Sequence, residues 1–158
     1  MKVDAFKHLP VVSVGTGAKL GNVDDVLFDT TAPLHVAALR VKAEGQQIVV
    51  PWSVVTTVGP DAVMVPDDAA AHTTSSESSL SALPDSAAIR TRKVVDEGGT
   101  FIGQVKDLDI DPSSGAVTQV EAHTGGMLGL GGTTTTIGAA DLRSIGDEVL
   151  LVTVVAKP

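Results

Sequence analysis

Apolar residues occur along this chain in short runs, and each run is bounded by Gly, Pro, Asp or Ser. Such runs are typical of short antiparallel strands, and neither half of the chain shows a sustained helical period. The clearest turn is DPSSG, where Asp111 and Pro112 begin the turn and Gly115 permits a positive φ. Its counterpart DTTAP begins with Asp29. The pattern predicts an all-β protein in which both aspartates have a structural role in turns.

The apolar residues of one long predicted strand change sides part-way along it. Val23 has the opposite parity to Val26 and Phe28, and the second half of the chain repeats this pattern. Because successive strand residues face opposite sides, all three can reach the core only where an extra residue intervenes. We therefore predict a β-bulge at 24–25 and another at 106–107. Bulges bend strands, so each half is predicted to form a small, highly curved, partly closed barrel of about five or six strands.

The two halves of the chain are copies of one another. Residues 11–29 align without gaps on residues 93–111 with six identities, and this alignment matches Val12 with Val94. Further along, the spacing between matching positions grows, so the second copy contains an insertion, GGMLGLGG at 125–132. The chain is therefore predicted to be a tandem repeat.

A stretch rich in Ser, Ala, Thr, Asp and Pro lies between the copies. It has too little apolar surface to offset the entropy lost on ordering its backbone, which predicts a flexible linker. We therefore divide the chain into repeat 1 (1–66), a linker (67–88) and repeat 2 (89–158).

Composition and charge limit the classes of function. The chain has 11 Lys and Arg against 19 Asp and Glu, a net charge of −8, one Trp and three Phe. Nucleic-acid binding requires basic residues for phosphates and often aromatic rings for bases, so we expect no direct nucleic-acid partner. No apolar stretch is long enough for a membrane span, and the first ten residues do not form a signal peptide. We expect a cytoplasmic protein without membrane insertion; with no Cys, thiolate chemistry is excluded.

The motif DLDID is a candidate cation site. It gives Asp107, Asp109 and Asp111 the spacing that opens a calcium-binding loop, but Pro112 and Thr118 stand where Gly and Glu are required. On a strand, the three carboxylates share one face instead. The motif is therefore either a solvated outer face or a weak cation site.

GGMLGLGG shares only its glycines with a phosphate-binding loop, because no Lys accompanies it and TTTT continues as a strand. It is predicted to be a hairpin whose Met127, Leu128 and Leu130 either cover the barrel end or contact a protein partner. Trp52, directly after the run IVVP, is likewise either a core plug or an interface anchor. The four His are scattered and no nucleophile motif is present, so we assign no catalytic, metal-binding or cofactor-binding residue.

Taken together, the segment KLGNVDDVLFDTTAPLHVAALRV, the run IVVPWSVV and the closing AVMV resemble the PRC-barrel domain family, and repeat 2 shows a similar pattern. Gly21 and Gly103 are the structural glycines of this pattern. The resemblance implies two PRC-type barrels in tandem and a non-catalytic protein-interaction or scaffold role without a cofactor. The family includes a cytoplasmic domain of the photosynthetic reaction centre and the C-terminal domain of the ribosome maturation factor RimM.

These relatives leave two alternatives open. One is a ribosome-maturation or RNA-processing accessory factor, and the other is an ancillary component of a photosynthetic or membrane complex. In each case we expect a protein partner. The two repeats are expected to pair within one chain, or the chain to form a homodimer.

Overall fold

The computed structural model describes residues 1–31, 33–67, 80, 82–125 and 132–153. These residues form two six-stranded sheets, one in each repeat, so the chain is all-β as predicted. The first sheet contains β1 (Pro10–Ser13), β2 (Lys19–Asp29), β3 (His35–Ala43), β4 (Gln46–Pro51), β5 (Thr57–Val58) and β6 (Val63–Val65). The second contains β7 (Lys93–Asp96), β8 (Phe101–Ile110), β9 (Val117–Thr124), β10 (Thr133–Gly138), β11 (Leu142–Ile145) and β12 (Val149–Val152). Short helices α1 (Val3–Phe6) and α2 (Ser86–Arg90) precede β1 and β7, and 3₁₀ turns at Trp52–Val54 and Ala139–Asp141 follow β4 and β10.

The strands of both sheets follow one order, which is β4-β3-β2-β1-β6-β5 in repeat 1 and β10-β9-β8-β7-β12-β11 in repeat 2. Strands β1 to β4 pair antiparallel with one another in chain order. The antiparallel prediction is wrong for two pairs, because β6 lies parallel to β1 and β12 lies parallel to β7. The 3₁₀ turn after β4 carries the chain to the far edge instead of closing a hairpin, so the last strand meets the first in the same direction.

Both predicted bulges are confirmed. The pairing of β2 with β3 shifts between Val23 and Asp25, and that of β8 with β9 shifts between Val105 and Asp107. Val23, like the later apolar residues of β2, is at most 1% exposed. A second shift near the end of each strand, before Phe28 in β2, was not predicted. These extra residues bend the long strands around the core.

Gly21 and Gly103 lie where a neighbouring strand passes too close for a side chain. A Cβ atom on Gly21 would lie 2.5 Å from the carbonyl oxygen of Lys42, and one on Gly103 would lie 2.9 Å from the backbone of His123. Each glycine therefore permits close contact between the second and third strands of its repeat.

The gapless alignment of the repeats is wrong at the first strand. Val11 pairs with Gly21, and Val94 pairs with Gly103, so Val94 corresponds to Val11 and not to Val12. Val11 and Val94 are both fully buried, as equivalent core positions should be. The turn between the first two strands is one residue longer in repeat 1, which the alignment without gaps concealed.

Two short segments cross between the repeats. The first arm, residues 1–7, pairs with β8, and the second arm, residues 84–90, pairs with β2. The bridging residues are Lys2 with Asp109 and Asp85 with Leu27. Each sheet is therefore extended by backbone that belongs to the other repeat.

The second arm includes the end of the segment predicted as a linker. Asp85 caps α2, because its Oδ1 accepts a hydrogen bond from the Ala88 N–H at 2.9 Å. Ser86 is fully buried, and its hydroxyl donates to Asp25 Oδ1 at 2.6 Å. Composition could not show this order, because the contacts are with residues far away in the chain.

One hydrophobic cluster runs through both repeats. Phe6 of α1 and Ile89 of α2 are fully buried in the same cluster as Val36 and Val117, which lie at the starts of β3 and β9. A bridge between His35 and Ala116 joins these two strands. In this structure the repeats therefore pack around one shared core.

Candidate interaction surface

Arg40 on β3 holds the second arm by charge. Its Nε donates to Asp24 Oδ2 at 2.8 Å, and its Nη1 donates to Asp85 Oδ2 at 3.0 Å. The hydrogen bond from Arg40 lowers the pKa of Asp24. Burial raises the pKa of Asp85, but the hydrogen bonds from the Ala88 N–H and from Arg40 outweigh it and leave that pKa lowered. Both carboxylates are therefore ionised at neutral pH, where they pair with the guanidinium.

The first arm is also held by charge, but here the arm supplies the cation, Lys2, and the strand supplies the anion. The Lys2 Nζ donates to Glu121 Oε1 at 2.7 Å and lies 3.7 Å from Asp109 Oδ2. The hydrogen bond to Glu121 raises the pKa of Lys2. Asp107 lies 3.5 Å from Arg90 of the second arm. Asp107 and Asp109 therefore contact cationic groups of the protein, whereas Asp111 makes its hydrogen bonds within the following turn.

Asp29 and Asp111 each fold the turn that follows their strand. Asp29 Oδ1 accepts hydrogen bonds from the Thr31 N–H at 2.9 Å and from its hydroxyl at 2.5 Å, and Asp111 makes the same two bonds with Ser113. The threonine hydroxyl and N–H lower the pKa of Asp29, and those of Ser113 lower the pKa of Asp111. Gly115 closes the second turn with a φ of 78°.

No group of three or more His, Cys, Asp or Glu within the described ranges is arranged to hold a metal ion. Asp107, Asp109 and Asp111 do not form such a group either. They lie on one strand and its following turn, but each has a separate partner.

Trp52 lies at the contact between the repeats. It opens the 3₁₀ turn after β4 and is partly buried against the shared core. Its ring lies against Gly115 of repeat 2, where an added Cβ would come within 2.8 Å of Trp52 Cε2 and Nε1. The same ring borders a cavity of about 230 Å³ that Pro112 and Ser113 line from repeat 2.

The glycine-rich segment joins two paired strands. β9 and β10 pair as far as Thr124 with Thr133, so the segment closes a hairpin, as predicted. Repeat 1 closes the matching hairpin with only Glu44 and Gly45, both at positive φ. The three apolar candidates of the longer loop, Met127, Leu128 and Leu130, lie outside the described residues.

Four apolar residues form a row on the outer face of repeat 2, which we call the outer row. Phe101 at the start of β8 lies opposite Val95 of β7, and Val95 lies opposite Leu151 of β12. Val149 lies two residues before Leu151 on the same strand face. Phe101 is 53% exposed and Val149 is 37% exposed. Sequence analysis missed this row, because only the order β8-β7-β12 brings its members together.

A comparison with protein-family models decides the family. The model of the PRC-barrel domain matches residues 1–72 and again residues 86–157, which together include most of the chain. The chain belongs to the PRC-barrel family. The predicted tandem of PRC-barrel domains is therefore confirmed, and the second match begins at the first residue of α2.

No curated protein matches this PRC-barrel chain. Among the described residues, no helix has the length and apolar character needed to cross a membrane.

Proposed function

We propose that this PRC-barrel protein is a non-catalytic interaction module that binds a protein partner through the outer row of repeat 2. The observation that carries this proposal is the exposure of Phe101 in line with Val95 and Leu151 across three strands. Exposed aromatic residues next to other apolar side chains are typical of protein-binding surfaces.

Repeat 1 differs from repeat 2 at the same place. Val12 of β1 lies opposite Lys19 and Met64, so Lys19 occupies the position that Phe101 has in repeat 2. A lysine at this position is compatible with the fold, and the phenylalanine of repeat 2 therefore has no packing requirement that would explain it. We infer that the outer row is retained for binding.

The titratable groups support a role without catalysis. Strongly perturbed pKa values often mark catalytic sites. The shifted carboxyls in the described part of the chain are Asp24, Asp29, Asp85, Asp109 and Asp111, and each has its partner across a strand pair, in a turn, in a helix cap or in an arm contact. Their shifts are therefore accounted for by the fold. The net charge of −8 favours a partner whose binding surface is basic around an apolar centre.

The outer row can be tested by giving repeat 2 the residue of repeat 1. The full chain with a C-terminal affinity tag would be used to capture proteins from its host, as wild type, as Phe101→Lys and as Val14→Lys. Val14 is a suitable control because it is apolar and 60% exposed but belongs to repeat 1. We expect one captured protein to be reduced at least about tenfold by Phe101→Lys, which is the loss of a typical hot-spot residue.

Circular dichroism would show that all three proteins are folded. Equal capture by Phe101→Lys and wild type would contradict the outer row as the binding surface. Loss of capture with Val14→Lys alone would show that the binding surface lies on repeat 1.

A further inference from the structure

The contact between the repeats has approximate two-fold symmetry. The Val36 N–H donates to the Gly115 carbonyl oxygen at 2.8 Å, and the Val117 N–H donates to the Leu34 carbonyl oxygen at 3.1 Å. Val36 and Val117 occupy equivalent positions, opposite Phe28 in β2 and opposite Ile110 in β8. The same is true of the arms, where two equivalent backbone bonds run from Ile110 to Met1 and from Phe28 to Pro84. Such an arrangement would normally allow two identical copies to pair.

Charge breaks this symmetry. The first arm presents Lys2 to Glu121 at 2.7 Å, whereas the second arm presents Asp85 to Arg40 at 3.0 Å. Lys2 and Asp85 are equivalent bridge residues of the two arms. Arg40 and Glu121 are equivalent residues of β3 and β9, opposite Asp25 and Asp107 respectively. The sign of both partners is therefore reversed between the two halves of the contact.

A pairing of two identical repeats would place like charges together. In a pair of two copies of repeat 1, Lys2 would face Arg40. In a pair of two copies of repeat 2, Asp85 would face Glu121 and would lie beside Asp109. Like charges at close range disfavour a pairing, so both alternatives are selected against.

Side-chain size breaks the symmetry in a second, independent way. Trp52 lies on Gly115 in one half of the contact, and in the other half Ala139 and Leu34 line one cavity of about 240 Å³. Ala139 follows β10 as Trp52 follows β4, and Leu34 is equivalent to Gly115 in the backbone bonds above. Two copies of repeat 1 would bring Trp52 onto Leu34, where the space for a ring is lost. Two copies of repeat 2 would bring Ala139 onto Gly115 and leave a gap.

We propose that repeat 1 is a specific binding partner for repeat 2 and rejects a second copy of itself, through the reversed charges at the arms and the reversed sizes at Trp52 and Ala139. The occupant of the surface formed by β2, β3 and the first arm is therefore the other repeat of the chain. Because the segment between them keeps the two repeats at high effective concentration, they pair within one molecule. This inference is independent of the outer row.

The proposal can be tested on the full chain after one cut. A protease site would be placed within residues 69–78, and the purified protein would be cut after folding and then analysed by size exclusion at decreasing concentrations. We expect the uncut chain to be a monomer and the cut halves to elute together as a one-to-one pair. A carbodiimide should join Lys2 to Glu121, because the amine and carboxylate are 2.7 Å apart.

Exchanging the charges of Lys2 and Glu121 then distinguishes recognition between the repeats from a general loss of stability. Glu121→Lys should weaken the association of the cut halves by about fivefold or more, the effect of losing one ion pair. Adding Lys2→Glu should restore part of this loss, because the pair with residue 121 is remade with its charges exchanged while Asp109 remains 3.7 Å from the position of the Lys2 amine. Lys19→Glu reverses an exposed charge on β2 and should leave the association unchanged. The neutral variant Glu121→Gln serves the same purpose if Glu121→Lys does not fold.

Three results would overturn the proposal. The first is that the cut halves separate and each forms a dimer with its own kind. The second is that the uncut chain is a dimer in which cross-links join two copies of the same repeat. The third is that Lys2→Glu fails to restore the association weakened by Glu121→Lys. Where Glu121→Gln is used instead, the contradicting result is that this variant shows no loss of association.

Discussion

Gly103 shows how much one side chain can decide. The backbone of His123 on the neighbouring strand lies where a Cβ of residue 103 would be, at 2.9 Å. Real Cβ atoms do not approach backbone so closely, so an added methyl group must move β8 away from β9. Since β8 and β9 carry much of the core of repeat 2, the displacement would also disturb the packing of the core residues on these two strands.

We expect Gly103→Ala to lower the unfolding free energy by about 1–3 kcal/mol, the usual cost of inserting a methyl group into a filled space. Urea unfolding would measure the change. Gly138→Ala is the matched control, because nothing lies within 4 Å of its added Cβ and its φ of −72° suits any residue. We expect no loss for the control. An equal loss in both variants would show that the contact with His123 is not the cause.

At the scale of elements, the long bent strands were predictable and the arms were not. The bulges followed from the parity of Val23 and Val105, because core-facing residues must lie on one side of a strand. The arms left no such signal, because helices of four and five residues are too short for a 3.6-residue period. Their pairing partners also lie far away in sequence, as Lys2 with Asp109 shows. The parallel pairing of β1 with β6 could not be predicted either, because these two strands also lie far apart in the sequence.

The second arm should make stability sensitive to acid. The pKa values of Asp24 and Asp85 are lower in the folded protein than the ordinary value of 3.8. Their contribution to the unfolding free energy is therefore complete above pH 3.8 and is lost as the pH falls through the pKa of the folded state. We therefore expect the unfolding free energy to decline below about pH 4. Arg40→Met should reduce the difference in unfolding free energy between pH 7 and pH 3, because it removes the shared cation.

Chemical unfolding across this pH range would measure the effect. Arg143→Met is the control, since Arg143 pairs with Glu97 at 2.9 Å on the surface and the two side chains are 57% and 41% exposed. It should keep the acid dependence of the wild type. If Arg40→Met also keeps that dependence in full, the arm is not held by these charges.

For the whole molecule, the shared core matters more than the boundary between repeats. The sequence divided the chain at residue 66, and the family match supports two PRC-barrel domains. Their interlocking could not be predicted from one repeat, because Phe6 and Ile89 are buried in a cluster that contains residues of both sheets. Trp52 illustrates the same limit. The sequence left it as either a core plug or an interface anchor, and its ring lies against a glycine of the other repeat.

We expect the two repeats to unfold in one cooperative transition. Leu150→Ala removes a fully buried side chain from repeat 2 and should cost about 2–5 kcal/mol. The fluorescence of Trp52, which belongs to repeat 1 and lies at its contact with repeat 2, should shift to lower denaturant by the same amount as the circular dichroism signal. Val149→Ala, at an exposed neighbouring position, should shift neither signal appreciably. A Trp52 transition that stays in place while the other signal moves would show that the repeats unfold separately.

The exchanged arms also set an order of events on the ribosome. β2 cannot receive its bridge at Leu27 until Asp85 has been synthesised and has left the exit tunnel. The first arm, although it is made before β2, must wait still longer, because its acceptor strand β8 ends at Ile110. The first half of the nascent chain therefore stays incomplete through much of translation, and a chaperone that binds open strand edges would encounter it during that interval.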